Sequence, residues 1–173
     1  MELSYKVIII GPGAVGKTSL LNRFVNNEFT LKYKLTIGVD FLTKVLEYEP
    51  SKSVKLHIWD IGGQERFKFL HRSFYDGALG ALLVFDLTRQ HTFSGMKTWL
   101  SEMRGIIKRD IPKVIIGNKV DLLPEIGRVI ERSEAEKYAK EENCFYIETS
   151  AKTGENVEEA FINLTSSMIK IGK

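Results

Sequence analysis

Eight residues, Gly11-Pro12-Gly13-Ala14-Val15-Gly16-Lys17-Thr18, constrain the fold more than any other stretch. They read G-x-x-x-x-G-K-T. A strand-like run, Tyr5-Lys6-Val7-Ile8-Ile9-Ile10, precedes them, and a helix-compatible segment, Ser19 to Val25, follows. A strand turning through glycines into a helix is the context in which this string forms a phosphate-binding loop. Glycine lets the backbone curl so that successive N–H groups aim at one anion. The start of the helix adds its positive dipole end. Gly13, Ala14, Val15, Gly16, Lys17, Thr18 and Ser19 are therefore predicted to bind phosphate. Lys17 supplies a point charge and the Thr18 hydroxyl a ligand for Mg²⁺. A bland glycine-rich βα turn is disfavoured by the strand–loop–helix order. The loop alone implies a nucleoside triphosphate and leaves the base open.

The rest of the 173 residues reads as one α/β domain, 1–173, long enough to bury a sizeable core. Strand-like runs fall at Ser4–Ile10, Val39–Tyr48, Val54–Asp60, Gly80–Asp86, Lys113–Asn118 and Cys144–Glu148. The interior ones, such as Ala81-Leu82-Leu83-Val84-Phe85, are continuously apolar, as strands buried on both faces are. The short polar turn Glu49-Pro50-Ser51-Lys52 makes the second and third strands a hairpin. Phe93, Met96, Trp99, Leu100, Met103, Ile106 and Ile107 repeat at helical spacing, as do Val157, Ala160, Phe161, Leu164, Met168 and Ile171. Both stripes read as core-facing. Ser133-Glu134-Ala135-Glu136 resembles a capped helix start. These patterns predict a mostly parallel sheet with helices on both faces and one antiparallel edge hairpin. Ligands of such sheets bind beyond the C-terminal strand ends.

Net charge is only +3 and is scattered, so no nucleic-acid partner is expected. The single cysteine, Cys144, reads as core rather than nucleophile and fits a reducing, cytoplasmic location. The apolar runs are too short to cross a membrane. Residue 2 is Glu2 and the chain as read ends without a cysteine, so no lipid anchor and no autonomous membrane attachment are expected.

Two further strings fall at strand ends. Asp60-Ile61-Gly62-Gly63-Gln64 closes the third strand. Asp60 is placed to hold Mg²⁺, directly or through water. Gly63 offers an unshielded N–H to a γ-phosphate, and Gln64 is suited to orient an attacking water. Asn118-Lys119-Val120-Asp121 closes the fifth strand. Asp121 can accept from both the ring N–H and the exocyclic amine of guanine, whereas adenine would leave a carboxylate unpaired. Asn118 and Lys119 brace that loop. Ser150, Ala151 and Lys152 follow the sixth strand, where the Ala151 N–H is offered to the guanine oxygen. Each string alone is also readable as a polar turn; together the three agree on a guanine nucleotide.

These residues resemble the Ras superfamily of small GTPases, most closely its Rab branch. The resemblance runs through Thr36-Ile37-Gly38-Val39-Asp40-Phe41, Gly63-Gln64-Glu65-Arg66-Phe67 and Leu83-Val84-Phe85-Asp86-Leu87-Thr88. It implies a P-loop small G domain: a six-stranded, mostly parallel sheet with one antiparallel edge strand and about five helices. It implies GTP and GDP as ligands, Mg²⁺ as cofactor, and slow hydrolysis with Lys17 and Gln64 in catalytic roles. It places Phe29 beside the guanine and Thr36 on both Mg²⁺ and γ-phosphate. Ile37, Phe41, Trp59, Phe67 and Phe74 become an effector surface on a monomeric protein, served by an exchange factor and a GTPase-activating protein. No arginine is identified in cis: Arg66 follows Gln64 closely, and Arg72 has no assigned place. The sequence departs from the pattern at Gly62, where Rab and Ras proteins usually read D-T-A-G-Q and the double glycine resembles Arf and Gα proteins. Asp76 stands where Rab proteins commonly have arginine. A guanine-nucleotide-loaded interaction module with negligible hydrolysis is the alternative, against which Gln64 argues. An ATP-using P-loop kinase is disfavoured by Asp121.

Overall fold

A computed structural model describes residues 3–172. Six strands form one sheet: β1 (Leu3–Ile10), β2 (Val39–Glu49), β3 (Lys52–Ile61), β4 (Gly80–Asp86), β5 (Lys113–Asn118) and β6 (Phe145–Thr149), in the order β2-β3-β1-β4-β5-β6. All neighbours are parallel except the β2–β3 hairpin. The expected β4 and β5 boundaries agree with the structure, because both strands are apolar runs buried along their whole length. β6 begins one residue late, so Cys144 precedes the strand and is half-buried. Burial pushes its thiol up to about 11, which leaves it a poor nucleophile near neutral pH.

The alternation of β1 shows why both sheet faces need helices. Val7 and Ile9 enter one core with α1 (Lys17–Asn26) and α6 (Val157–Ile171). Ile8 and Ile10 enter the other with α3 (Gln90–Ile106) and α5 (Arg132–Glu141). Phe24 of α1 stacks on Phe161 of α6 with ring centres 3.8 Å apart. Two one-turn helices, α2 (His71–Tyr75) and α4 (Leu123–Ile126), bring the α-helices among the described residues to six, in line with the expected number of about five. Residues 65–70 form a 3₁₀ segment that no periodicity announced.

Two helix readings are corrected. Ile171 is 72% exposed, and Ile169 takes the buried place at that end of α6. Ser133 lies inside the first turn of α5, whose N-cap is Glu131 without a side-chain cap.

The order of the sheet places the site. β1 is flanked by β3 on one side and β4 on the other, so chain connections diverge there. Such a divergence opens a crevice beyond the carboxyl ends of the strands. The ends of β1, β3, β5 and β6 carry the four strings singled out above.

Candidate functional site

The phosphate loop leaves β1 at Ile10 and enters α1 at Lys17. Gly16 has φ 98°, and a Cβ there would fall 2.3 Å from Asn118 Nδ2, so only glycine fits. Gly16 also gives α1 no side-chain cap, which leaves the first-turn N–H groups for a ligand. Lys17 is buried, and its ammonium donates to the Gly11 and Pro12 carbonyls at 2.8 and 2.7 Å. Desolvation brings its pKa down to about 8, with Asp60 opposing the shift.

Three oxygens from three segments converge beside it. The Thr18 and Thr36 hydroxyls lie 2.8 Å apart. Thr18 donates to Asp60 Oδ2, and Thr36 lies 3.4 Å from the same atom. Burial raises the Asp60 pKa, against the Thr18 bond and Lys17. Among the described residues its other oxygen, Oδ1, is buried without a hydrogen-bond partner. A buried carboxylate oxygen is normally satisfied. Two hydroxyls and a half-satisfied carboxylate form an all-oxygen donor set that fits Mg²⁺, which takes few protein ligands and completes its shell with phosphate and water. Among the described residues there is no cluster of three or more histidines, cysteines or carboxylates to suit a softer metal.

Gly63 follows at the end of β3. A Cβ there would lie 2.5 Å from the Gly13 nitrogen, so the 62–64 backbone rests directly on the phosphate loop. Gln64 lines the same cavity, and its Oε1 accepts from Arg66 Nε at 2.8 Å. Arg66 thus touches the glutamine, while Arg72 sits exposed on α2.

At the other end of the cavity the base-reading strings are braced together. Asn118 donates through Nδ2 to the Val15 carbonyl at 2.9 Å and accepts through Oδ1 from Thr149 at 2.9 Å. Lys119 donates to the Ala14 carbonyl at 2.9 Å. Asp121 accepts from the Ser150 hydroxyl through Oδ1 at 2.7 Å, an arrangement that fixes the carboxylate's orientation. Arg23 of α1 ties down the 151–152 turn by donating to the Ala151 and Lys152 carbonyls.

One cavity of about 730 Å³ joins these ends, a volume ordinary for a small-molecule site. Gly13, Ala14, Gly16, Lys17, Thr18, Ser19, Phe29, Thr36, Gly63, Gln64, Asn118, Lys119, Asp121, Ala151 and Lys152 line it. Val15, Asp60 and Ser150 stand behind the wall, bonded to residues that form it. Sequence reasoning missed the lid: Leu31, Lys32, Tyr33, Lys34 and Leu35 also line the cavity, signalled only by alternating apolar and basic residues before Thr36. It also missed Arg89, discussed below.

The expected partner surface lies beside the cavity. Phe41, Trp59 and Phe74 form a row with successive ring centres 5.6 and 6.3 Å apart. Phe41 and Ile37 are 63% and 67% exposed, while Trp59, Phe67 and Phe74 are half-buried. Phe69, unremarked in the sequence, is 78% exposed on the 3₁₀ segment 65–70 that also carries Phe67.

Such a fold with such a site defines a P-loop guanine-nucleotide-binding protein of the small G class. A family model for the Ras family matches residues 6–170, and the chain belongs to that family. It is 44% identical over 171 residues to the Ras-related protein RABA4d of Arabidopsis thaliana, covering 99% of this chain and 76% of the relative. It is 43% identical over 171 residues to both Ras-related protein Rab11D of Nicotiana tabacum and Ras-related protein RGP1 of Oryza sativa, covering 99% of this chain and 76% and 74% of those relatives. The protein is accordingly a Rab-like small GTPase, a switch driven by bound GTP or GDP. Effectors, exchange factors and activating proteins are its classes of partner. No helix among the described residues is long and apolar enough to cross a membrane.

Proposed function

We propose that this G domain serves Rab-like trafficking or signalling, and that its cavity hydrolyses GTP with the following division of labour. Asp121 selects guanine, with Asn118, Lys119 and Ser150 holding its loop, the Ala151 N–H offered to the guanine oxygen and Phe29 beside the base. Lys17 and the start of α1 bind the phosphates. Thr18, Thr36 and, directly or through water, Asp60 would hold Mg²⁺, which would supply charge neutralisation at the outer phosphates. Gln64 orients the attacking water, and the Gly63 N–H and Lys17 stabilise charge growing on the transferred group. Among the described residues no arginine lines the cavity, so turnover is slow until a partner supplies one, a gain on the order of 10³–10⁵ in rate. The surface of Ile37, Phe41, Trp59, Phe67 and Phe74 receives the effector.

The observation carrying this reading is the convergence of Thr18, Thr36 and Asp60, with one carboxylate oxygen left unpaired, at the phosphate end of a cavity whose far end holds Asp121. Single-turnover phosphate release from GTP, with and without Mg²⁺ and in competition with ATP, tests it. Mg²⁺-dependent release that excess ATP leaves unchanged is expected. Equal competition by ATP, or release indifferent to Mg²⁺, refutes it.

A further inference from the structure

Ala14, in the middle of the phosphate loop, has φ 60°, a left-handed conformation that residues with a Cβ seldom adopt. Something must hold it there. The Ala14 carbonyl accepts two cationic donors, Lys119 Nζ at 2.9 Å and Arg89 Nη2 at 2.8 Å. Arg89 Nη2 also lies 3.4 Å from the Gly13 carbonyl. Both cations are anchored on one carboxylate. Asp86 Oδ2, buried at the end of β4, lies 3.0 Å from Arg89 Nε and 2.9 Å from Lys119 Nζ. Its other oxygen accepts the Thr88 N–H and hydroxyl at 2.9 and 2.6 Å, so the anchor itself is fully bonded.

The two cations are not equivalent. Lys119 belongs to the base-reading string and lines the cavity. Arg89 belongs to the segment that joins β4 to α3 and does not line the cavity; it grips the loop from outside. An exposed ion pair is ordinarily worth little. Here the arginine is two-thirds buried, its partner carboxylate is almost wholly buried, and its fork bonds backbone and carboxylate at once. Such a charge-assisted, two-point arrangement fixes geometry.

We propose that Arg89 is a positioning residue for nucleotide retention: with Lys119 it pins the Ala14 carbonyl and so holds the phosphate loop in its anion-binding shape. The inference rests on the functional reading above. It explains how an alanine is tolerated at a left-handed position that glycine would occupy freely.

The test is the release rate of a fluorescent GDP analogue from the Mg²⁺-loaded protein, chased with excess GDP. Five proteins are compared: wild type, R89A, R89K, A14G and the R89A/A14G double variant. R89A is expected to release GDP about tenfold faster, the equivalent of about 1.4 kcal/mol. R89K, which keeps the charge and loses the fork, falls between. Glycine reaches the left-handed region without the clamp, so in the A14G background R89A has little effect. That rescue separates loop positioning from general destabilisation, which A14G would not repair. Unchanged or slower release from R89A overturns the proposal, as does an equal acceleration in the wild-type and A14G backgrounds. Failure of the wild-type protein to bind the GDP analogue would refute the functional reading instead.

Discussion

Gly62, after β3, and Thr36, before β2, meet so closely that a Cβ on Gly62 would fall 2.5 Å from the Thr36 carbonyl oxygen. The Gly62 N–H also donates to the Gly38 carbonyl at 2.8 Å. These contacts give the departure from D-T-A-G-Q a physical meaning. The missing methyl lets the Thr36 segment close down on the end of β3, where its hydroxyl joins Thr18 and Asp60. Gly62→Ala must push that segment outward. The strain is on the order of 1–3 kcal/mol. GTP-analogue affinity should fall by about tenfold or more while GDP affinity changes little, because the role proposed for Thr36 is at the γ-phosphate end. Equal losses for both nucleotides, measured by competition with labelled GDP, would contradict this.

The role of Asp121 predicts a change of ligand. One of its oxygens is taken by Ser150, so its orientation survives substitution better than its charge. Asp121→Asn replaces the proposed acceptors of two guanine hydrogen bonds with a group that also donates. Hydrogen bonds to charged groups are worth about 1.5–3 kcal/mol each, so GDP binding should weaken by roughly 10²-fold or more. Xanthosine diphosphate, which presents an oxygen where guanine presents an amine, should then bind better than GDP. Retained preference for GDP in a competition assay rules the assignment out.

Lys17 makes binding sensitive to pH. Its pKa in the protein, about 8, lies below the ordinary 10.5 because the loop buries it. Between those values the unfolded chain holds the proton more tightly, so this group favours the folded state increasingly as pH rises from about 8 to about 10.5. The phosphate role proposed for Lys17 needs its charged form, so nucleotide binding should take up a proton in the same window. Nucleotide affinity should fall as pH rises above about 8, approaching about tenfold per unit. Calorimetry in buffers of different ionisation heat should register the proton uptake. Lys17→Arg stays charged throughout and should lose this dependence, leaving only titration of the nucleotide itself. Identical pH profiles for both proteins would mean that Lys17 is not the group responsible.

Gln64 is held by Arg66 at 2.8 Å through the oxygen that would accept from water. Gln64→Leu keeps the bulk and removes the polar group. GTP binding should persist while single-turnover hydrolysis slows at least about tenfold, or about 1.4 kcal/mol in the barrier. Unchanged phosphate release would assign water alignment elsewhere.

How much of this was legible differs by kind of residue. Gly11–Thr18, Asp60–Gln64 and Asn118–Asp121 are contiguous strings whose spacing reflects one local turn each, so the chain itself displays them. β4 and β5 are continuous apolar runs with abrupt ends. What stayed hidden depends on neighbours far along the chain. His71 is fully buried and bonds Glu102 of α3 at 2.5 Å across 31 residues. Arg89 reaches Ala14 across 75 residues. Neither pair has a periodicity or a motif; only the packed sheet brings them together. Ile171 lies outside the core for a related reason: helical spacing continues past the point where the core ends.

The remaining prediction concerns the coupling of chemistry to partners. Thr36 and Gly63 are the inner ends of two segments that run outward to Ile37 and Phe41 on one side and Phe67, Phe69 and Phe74 on the other. Trp59 lies between, 5.6 Å from Phe41 and 6.3 Å from Phe74 by ring centres. On the proposed reading the triphosphate would hold both inner ends, at Thr36 and at the Gly63 N–H, whereas the diphosphate would hold neither. The apolar row should therefore be assembled mainly in that state, and a partner bound to it should favour the GTP form by the free energy of ordering the two segments. Phe41→Ala removes an exposed ring outside the cavity, so it should weaken effector binding and leave GTP affinity nearly unchanged. Hydrogen exchange reads the coupling directly, because amide protection reports local opening. Residues 30–41 and 62–75 should exchange more slowly with a non-hydrolysable GTP analogue than with GDP, while β4 and β5 stay the same. Equal protection of both segments in the two states would show that the γ-phosphate does not order this surface.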